Sequence, residues 1–376
     1  MFQDKYVFAQ LTAFLNRTQF NNYVRKYDGN RYVKHFTCWN QLLAMMFGQL
    51  SNRESLRDLI VALEAHRAKQ YHLGLGRNTI VKATLAYANQ TRDYRIFEDF
   101  AFYMMKEACK KRETNILNIP GKKYAFDSTT IPLCLATFPW AKFRSKKGGV
   151  KAHVLYDVEA QVPAFYTVTT ASKHDSTAMS SITYEPNSYY IFDRAYDTFK
   201  ELYKIHLTGS YYVVRAKTNL KYKMVKWKRR MPKNVLTDAE VKLTGYLSEK
   251  KYPESFRFIR YYDEEDDREF TFLTNAKHLS ALDVANLYKK RWLVELFFYD
   301  KNNIMRSEWK SIIEDQNFRR MLLRSTSHND NYFFRPLSQS LRFLLFSQDL
   351  SVSRLGVRSV YAFSNASRFA LESARA

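Results

Sequence analysis

The feature that most constrains the fold of this chain is a change of hydrophobic period near residue 122. Before it, apolar residues fall at helical spacing. Leu42, Leu43, Met45, Met46, Phe47 and Leu50 crowd one segment, and Leu56, Leu59, Ile60 and Leu63 follow in the next. After it come short apolar or alternating runs bounded by turn residues, at 123–129, 150–158, 163–170, 189–193 and 211–215, with a helix expected over 198–206. Strands interleaved with a helix predict a mixed α/β core behind a helical N-terminal region.

Finer signals add detail. Ser51 and Glu54 have capping-box spacing, which predicts a helix starting near Asn52. Gly74 and Gly76 break the pattern before a second helical run over 77–89. Helix, break and helix fits either a helix-turn-helix or plain packing of two helices, and the sequence leaves both readings open. Between 217 and 275 lie further β-like pieces, 256–262 and 269–273 among them, joined by the acidic run Asp263 to Asp267. No carboxylate of that run ends an apolar strand, so it reads as a solvated hairpin turn. His174-Asp175 reads as a helix cap. Ser280 and Asp283 form another capping box, and the helix they open is expected to run through at least Phe298.

Composition narrows the partner. The chain has 376 residues and a formal net charge of +23, with 46% apolar and 16% aromatic residues. It is long enough for more than one domain and too apolar for a disordered basic tail, so a folded protein that meets a polyanion is expected, nucleic acid foremost. No run of about 18 apolar residues occurs, nor a leading segment with a hydrophobic centre, which points away from membrane spanning and secretion. Cys38, Cys109 and Cys134 are isolated, so neither a disulfide framework nor a thiolate zinc site is expected, and a reducing cytoplasm suits the chain.

Two carboxylates stand out. Asp127 follows Tyr124-Ala125-Phe126, and Asp193 follows Tyr189-Tyr190-Ile191-Phe192. An ionised carboxylate at the end of an apolar strand costs several kcal/mol unless a cation compensates. Downstream, Tyr288, Arg291 and Glu295 lie three and seven positions apart, within about 60° of one another on a continuous helix at about 100° per residue. A surface helix with an Arg291–Glu295 pair would have the same spacing.

Taken together, these residues resemble a known family, the insertion-sequence DDE transposases whose third motif is Y-x2-R-x3-E-x6-K. The resemblance is carried by Y-A-F-D-S-T-T-I-P-L at 124–133, F-R-S-K-K-G-G-V-K-A-H at 143–153, Y-I-F-D-R-A-Y at 190–196 and Y-K-K-R-W-L-V-E-L-F-F at 288–298, with a leading segment over 36–59 similar to one branch of the group. It implies an α/β fold: a ribonuclease-H-like mixed-sheet core over 116–298, a helical DNA-binding domain over 1–115, and a β-rich insertion at about 217–275 between the second and third acids. It implies that Asp127, Asp193 and Glu295 are catalytic and hold two Mg²⁺ or Mn²⁺ ions, hard cations suited to carboxylate oxygens. It also implies DNA contacts by Tyr288, Arg291, Arg194, Lys301, Lys146 and Lys147. The expected partners are terminal inverted repeats and target DNA as double strands, bound by a homodimer in a synaptic complex, without a membrane. The expected setting is the bacterial cytoplasm near the nucleoid, and the expected chemistry is nicking, hairpin formation, reopening and joining.

One motif residue departs. The lysine expected seven positions after Glu295 is Asn302, and Lys301 stands one position early, about 100° round a helix. Arg outnumbers Lys 10 to 2 after residue 298, against 19 to 29 before it. We read 299–376 as a divergent or frameshifted tail, a hypothesis that translation of the gene in its other two frames tests directly. On that reading the alternative to an active enzyme is an impaired remnant that only binds DNA.

Overall fold

The computed structural model describes residues 6–298, apart from 52, 54, 111–116, 134 and 136–138. The proposed tail, with Lys301 and Asn302, therefore lies outside the described residues.

Six helices open the chain: α1 (Val7–Thr12), α2 (Arg17–Lys26), α3 (Cys38–Leu50), α4 (Leu56–Ala65), α5 (Lys82–Thr91) and α6 (Arg95–Lys110). The apolar segment seen in the sequence is α3, buried on nearly every side among Phe20, Leu59, Leu63, Phe97 and Phe100. Thr37 and Asn40 close a capping box at its start. Ser51 does not begin the next helix. It ends α3, its hydroxyl donating to Phe47 O at 2.6 Å, and α4 starts later, at Leu56, where Ser55 accepts from the Asp58 amide. The helix-turn-helix reading is also corrected. Residues 66–81 separate α4 from α5 and contain a 3₁₀ turn and two glycines at positive φ, far more chain than the three or four residues such a motif uses.

The rest builds one mixed sheet. Its strands are β1 (Lys123–Leu133), β2 (Lys142–Arg144), β3 (Lys147–Asp157), β4 (Val162–Thr170), β5 (Tyr189–Phe192), β6 (Tyr211–Arg215), β7 (Tyr222–Trp227), β8 (Val235–Leu243), β9 (Phe256–Asp263) and β10 (Arg268–Thr274). The order is β2-β3-β1-β5-β6-β10-β9-β8-β7, with β4 on β3. β1, β5 and β6 are parallel, the helix α7 (Phe199–Leu207) carries the crossover from β5 to β6, and α8 (Tyr246–Lys251) links β8 to β9. The β-rich stretch after residue 217 extends this same sheet through β10 rather than standing apart from it.

Both faces are covered, and residue parity decides which side chain meets which layer. Ala125, Ile191 and Val213 pack with Val284, Leu287, Tyr288 and Val294 from α9 (Ala281–Lys289) and α10 (292–298). Tyr124, Phe126, Tyr190, Phe192, Tyr212 and Val214 face Leu202 and Ile205 of α7. The acidic run is the β9–β10 turn, as expected, but its first member is not solvated: Asp263 is buried and pairs with Lys289 of α9 at 2.9 Å.

The start of α9 is held by a buried ion pair. Arg257 of β9 donates to both carboxylate oxygens of Asp238 of β8 at 2.7 Å, and its remaining nitrogen donates to Leu279 O, just before the Ser280 cap. Removing one partner strands the other charge in the interior. Asp238→Ala is expected to lower the unfolding free energy by about 3–5 kcal/mol, read from urea denaturation, while Asp238→Leu/Arg257→Met is expected to recover much of the loss.

Candidate active site

The pairing of β1 with β5 sets the site. Ala125 lies opposite Ile191 and Phe126 opposite Phe192 in parallel register, so the next residue on each strand, Asp127 and Asp193, comes level with its neighbour. Parity then puts both carboxylates on the α9 and α10 side with Ala125 and Ile191. Asp127 does not end its strand, since β1 continues to Leu133 against β3; it marks the point where β1 parts from β5.

The helix expected through Phe298 is broken. α9 stops at Lys289, and Lys290, Arg291, Leu293 and Val294 each donate to the carbonyl three residues back before α10 proceeds. In such a tightened turn, side chains three apart eclipse. The Arg291 guanidinium accordingly lies over the Tyr288 ring, 5.6 Å from its centre. Tyr288 is wedged on Phe272, ring centres 4.8 Å apart, and its hydroxyl donates to Asp193 Oδ1 at 3.1 Å. Arg291 Nη1 sits 3.0 Å from Asp127 Oδ2 and also pairs with Glu295. Two of the three acids thus share one guanidinium, and the third is held by the neighbouring phenol.

Electrostatics follow from burial. Desolvation raises the Asp127 carboxyl to about 6, against the lowering pull of the Ser128 amide and Arg291, and the charges of Glu295 and Asp193 add to the rise. Burial works against the Arg291 charge, but Tyr288, Glu295 and Asp127 outweigh it and its pKa goes up. Burial also raises the Tyr288 phenol, to about 12, so it stays a donor. The carboxylates are hard oxygen donors, yet among the described residues no three His, Cys, Asp or Glu side chains are gathered closely enough to hold a metal ion. The guanidinium between Asp127 and Glu295 supplies the positive charge instead.

The other expected residues fall into two groups. Arg194 follows Asp193 in a 3₁₀ turn, near enough for its charge, after burial, to lower the Arg215 pKa. Lys146 in the β2–β3 hairpin turn and Lys147 at the start of β3 are exposed, and among the described residues neither pairs with one of the three acids. His174 is the cap the sequence suggested, but Asp175 does more. It accepts from Ser128 Oγ at 2.8 Å and pairs with Lys151 at 3.0 Å, tying the residue after Asp127 to β3. Beside them His153 is fully buried on β3, with Nε2 2.9 Å from Thr169 Oγ1. Sequence reasoning put Lys151 and Arg215 in basic clusters and Asp175 in a cap, but did not join Ser128, Lys151, His153 and Asp175 into one group or set Arg215, at the end of β6, beside Asp193. The only signal was that Lys151 and His153 share a strand face, which has no meaning until β3 is paired with β1.

Comparisons with known proteins agree on one class. Residues 120–329 match the family described as "Transposase DDE domain", and residues 3–76 match "Domain of unknown function (DUF4372)". A protein named as the transposase of insertion sequence element IS5377 of Geobacillus stearothermophilus is 28% identical over 191 residues, 50% of each chain. Another, named as transposase y4zB of Sinorhizobium fredii, is 32% identical over 177 residues, 46% of this chain and 49% of that one. The chain thus spans about half the length of the curated relatives it matches. The solved piggyBac transposase, in a synaptic complex with hairpin DNA, has a TM-score of 0.41 at 10% identity over 94% of this chain and 83% of its own, too low to bear on the fold.

His153 generates a stability prediction. Burial lowers its pKa to about 4 from an ordinary 6.5, so the unfolded chain takes up a proton that the folded chain refuses. Stability contributed by this group is therefore complete above pH 6.5 and falls as pH drops toward 4, by roughly 3 kcal/mol in all. Urea denaturation across that window should show the slope in the wild type, and His153→Gln should flatten it.

Proposed function

Since the chain belongs to the transposase DDE-domain family, whose members cleave DNA and generally use divalent metal ions, we propose that it is an insertion-sequence transposase of the hairpin-forming group. It cuts element ends and joins them to target DNA at Asp127, Asp193 and Glu295. The observation that carries the reading is the convergence of Asp127 and Glu295 on Arg291, with Asp193 beside them on the Tyr288 hydroxyl.

The chemistry of the donor set suits the implied ions, although Arg291 stands between Asp127 and Glu295 and the three acids are not yet gathered around one point. Three carboxylates from β1, the end of β5 and α10 line one half-buried corner, where desolvation above all raises the Asp127 carboxyl to about 6. Asp127, Asp193 and Glu295 would hold two Mg²⁺ or Mn²⁺ ions, which supply an activated nucleophile and a stabilised leaving oxygen. The chain's own cations and phenol have other work. Arg291 presents a planar fork suited to phosphate oxygens, and Tyr288 holds Asp193 in place with its hydroxyl. Arg194 and Arg215 carry positive charge beside Asp193, where a phosphodiester would lie. Nicking, hairpin formation, reopening and joining are all in-line phosphoryl transfers, so a single set of acids serves each with a change of nucleophile.

The same reading assigns the parts of the chain. An antiparallel β1, β3 and β4 followed by parallel β5 and β6 is the strand pattern of a ribonuclease-H-like core, here taken as 116–298 with 217–275 as its insertion. Residues 1–115 are the DNA-binding region, Lys146, Lys147 and Lys301 add phosphate contacts, and the working form is a homodimer on double-stranded inverted repeats.

Incubation with the element's own termini and Mn²⁺ tests the proposal. The wild type is expected to nick the ends and give a hairpin product. Asp127→Ala and Glu295→Ala are expected to lose cleavage by more than about 100-fold, beyond the loss typical of a group that merely supports a metal ligand. Binding of the termini without Mn²⁺-dependent nicking by the wild type would leave the DNA-binding remnant as the function.

A further inference from the structure

We propose that a groove on the N-terminal helical region seats a DNA strand carrying at least one unpaired base. This deepens the transposase reading, on which it rests for the choice of DNA as the polyanion. The groove, about 1210 Å³, runs between the 27–37 loop that joins α2 to α3 and the 71–81 approach to α5.

One wall is a loop with a fixed backbone. A Cβ on Gly29 would lie 2.3 Å from Ile96 Cδ1 and 2.8 Å from Cys38 Sγ, so the main chain rests hard against α6 and α3. Asn30 Oδ1 accepts the Cys38 amide at 2.8 Å, and the Arg31 amide donates to Asp28 O at 2.9 Å. From this anchored base Tyr32 stands out at φ 59° with 89% of its surface in solvent. A bulky residue at positive φ is strained, and the partner described for this side chain is its own neighbour Arg31, whose guanidinium lies 5.0 Å from the ring centre and donates to the Tyr32 hydroxyl at 3.2 Å.

Across the groove the arrangement repeats. Tyr71 is 58% exposed and backed by the Arg77 guanidinium at 4.8 Å, and Tyr87 of α5 is 67% exposed. Arg31, Lys34 and Arg77 have no carboxylate partner among the described residues. Of the two acids that line the groove, Asp93 is taken up by Arg95, whose Nε lies 3.0 Å from both its oxygens.

Cations alone would suit any phosphate backbone. Exposed tyrosines, two of them backed by a guanidinium, add flat platforms that only an unstacked base can use, because a duplex buries its base faces. A pre-set loop with a strained aromatic at its tip loses little freedom when a base stacks on it.

The test uses the full chain in EDTA, with fluorescence anisotropy on a blunt duplex and on the same duplex bearing an oligothymidine tail. The wild type should prefer the tailed probe. Tyr32→Gly should weaken the tailed probe by about fivefold or more while leaving the blunt one unchanged. It should also raise the Tm, because glycine relieves the backbone strain, so loss of binding cannot be put down to unfolding. Tyr32→Trp should restore the preference. Arg31→Ala and Arg77→Ala should weaken both probes and each reduce the salt slope by about one. Equal binding of the two probes by the wild type, or wild-type binding by Tyr32→Gly, overturns the groove assignment. Asp127→Ala separates the two ideas. It should keep the tail preference, so a chain that never cleaves yet shows Tyr32-dependent binding refutes the catalytic reading alone, and cleavage without tail preference refutes the groove alone.

Discussion

The parallel ladder between β1 and β5 sets Phe126 against Phe192, and the candidate site inherits that register. Slipping β5 by one residue would turn Asp193 toward α7 and bring Phe192 to the acids. The ladder is pinned where it begins. Gly121 sits at φ 98°, where an added Cβ would fall 2.1 Å from Asn187 O, and the Tyr189 amide donates to Lys122 O at 2.8 Å. A backbone approach that only glycine permits at one end of two short strands therefore sets where two carboxylates stand at the other.

The break between α9 and α10 gives the third acid its place. On an unbroken helix Tyr288, Arg291 and Glu295 would form a loose stripe. The tightened turn at 290–291 stacks Arg291 over Tyr288 instead, letting one side chain reach Asp193 and the other Asp127. Burial makes that arrangement consequential. Two carboxylates share one guanidinium in a half-buried corner, and desolvation, with smaller additions from the charges of Glu295 and Asp193, raises the Asp127 pKa despite Arg291.

Much of this was legible in the residues. The runs at 211–215 and 256–262 became β6 and nearly all of β9, because alternating apolar residues closed by turn residues leave few other choices. The capping box at Ser280 formed as its spacing required. What the sequence did not disclose depended on tertiary neighbours. Ser51 was free to start or end a helix, and packing of α3 decided for the end. The α9 break carries no proline or glycine; the turn bonds at 290–294 and the hold of Asp127 on Arg291 are seen only once the sheet lies beneath them. Asp175 looked like half of a cap because its partners, Ser128 and Lys151, lie on strands that meet only in the sheet.

The net charge of +23 does not spread evenly, and the distribution argues for a division of labour. The half-buried corner gathers three acids about Arg291, whereas Arg194 and Arg215 at its rim, Lys146 and Lys147 where the β2–β3 turn enters β3 and the Lys223 to Arg230 stretch of the sheet edge are basic. A polyanion could not approach three carboxylates against their repulsion. On the proposed function, a basic margin would attract the phosphates over a distance of about 10 Å, and the corner would then act on the few that reach it. On that reading the corner tolerates little more positive charge, since Arg291 already pairs with two of its acids and a further cation would compete with the metal ions, while an acid on the margin would repel the strand.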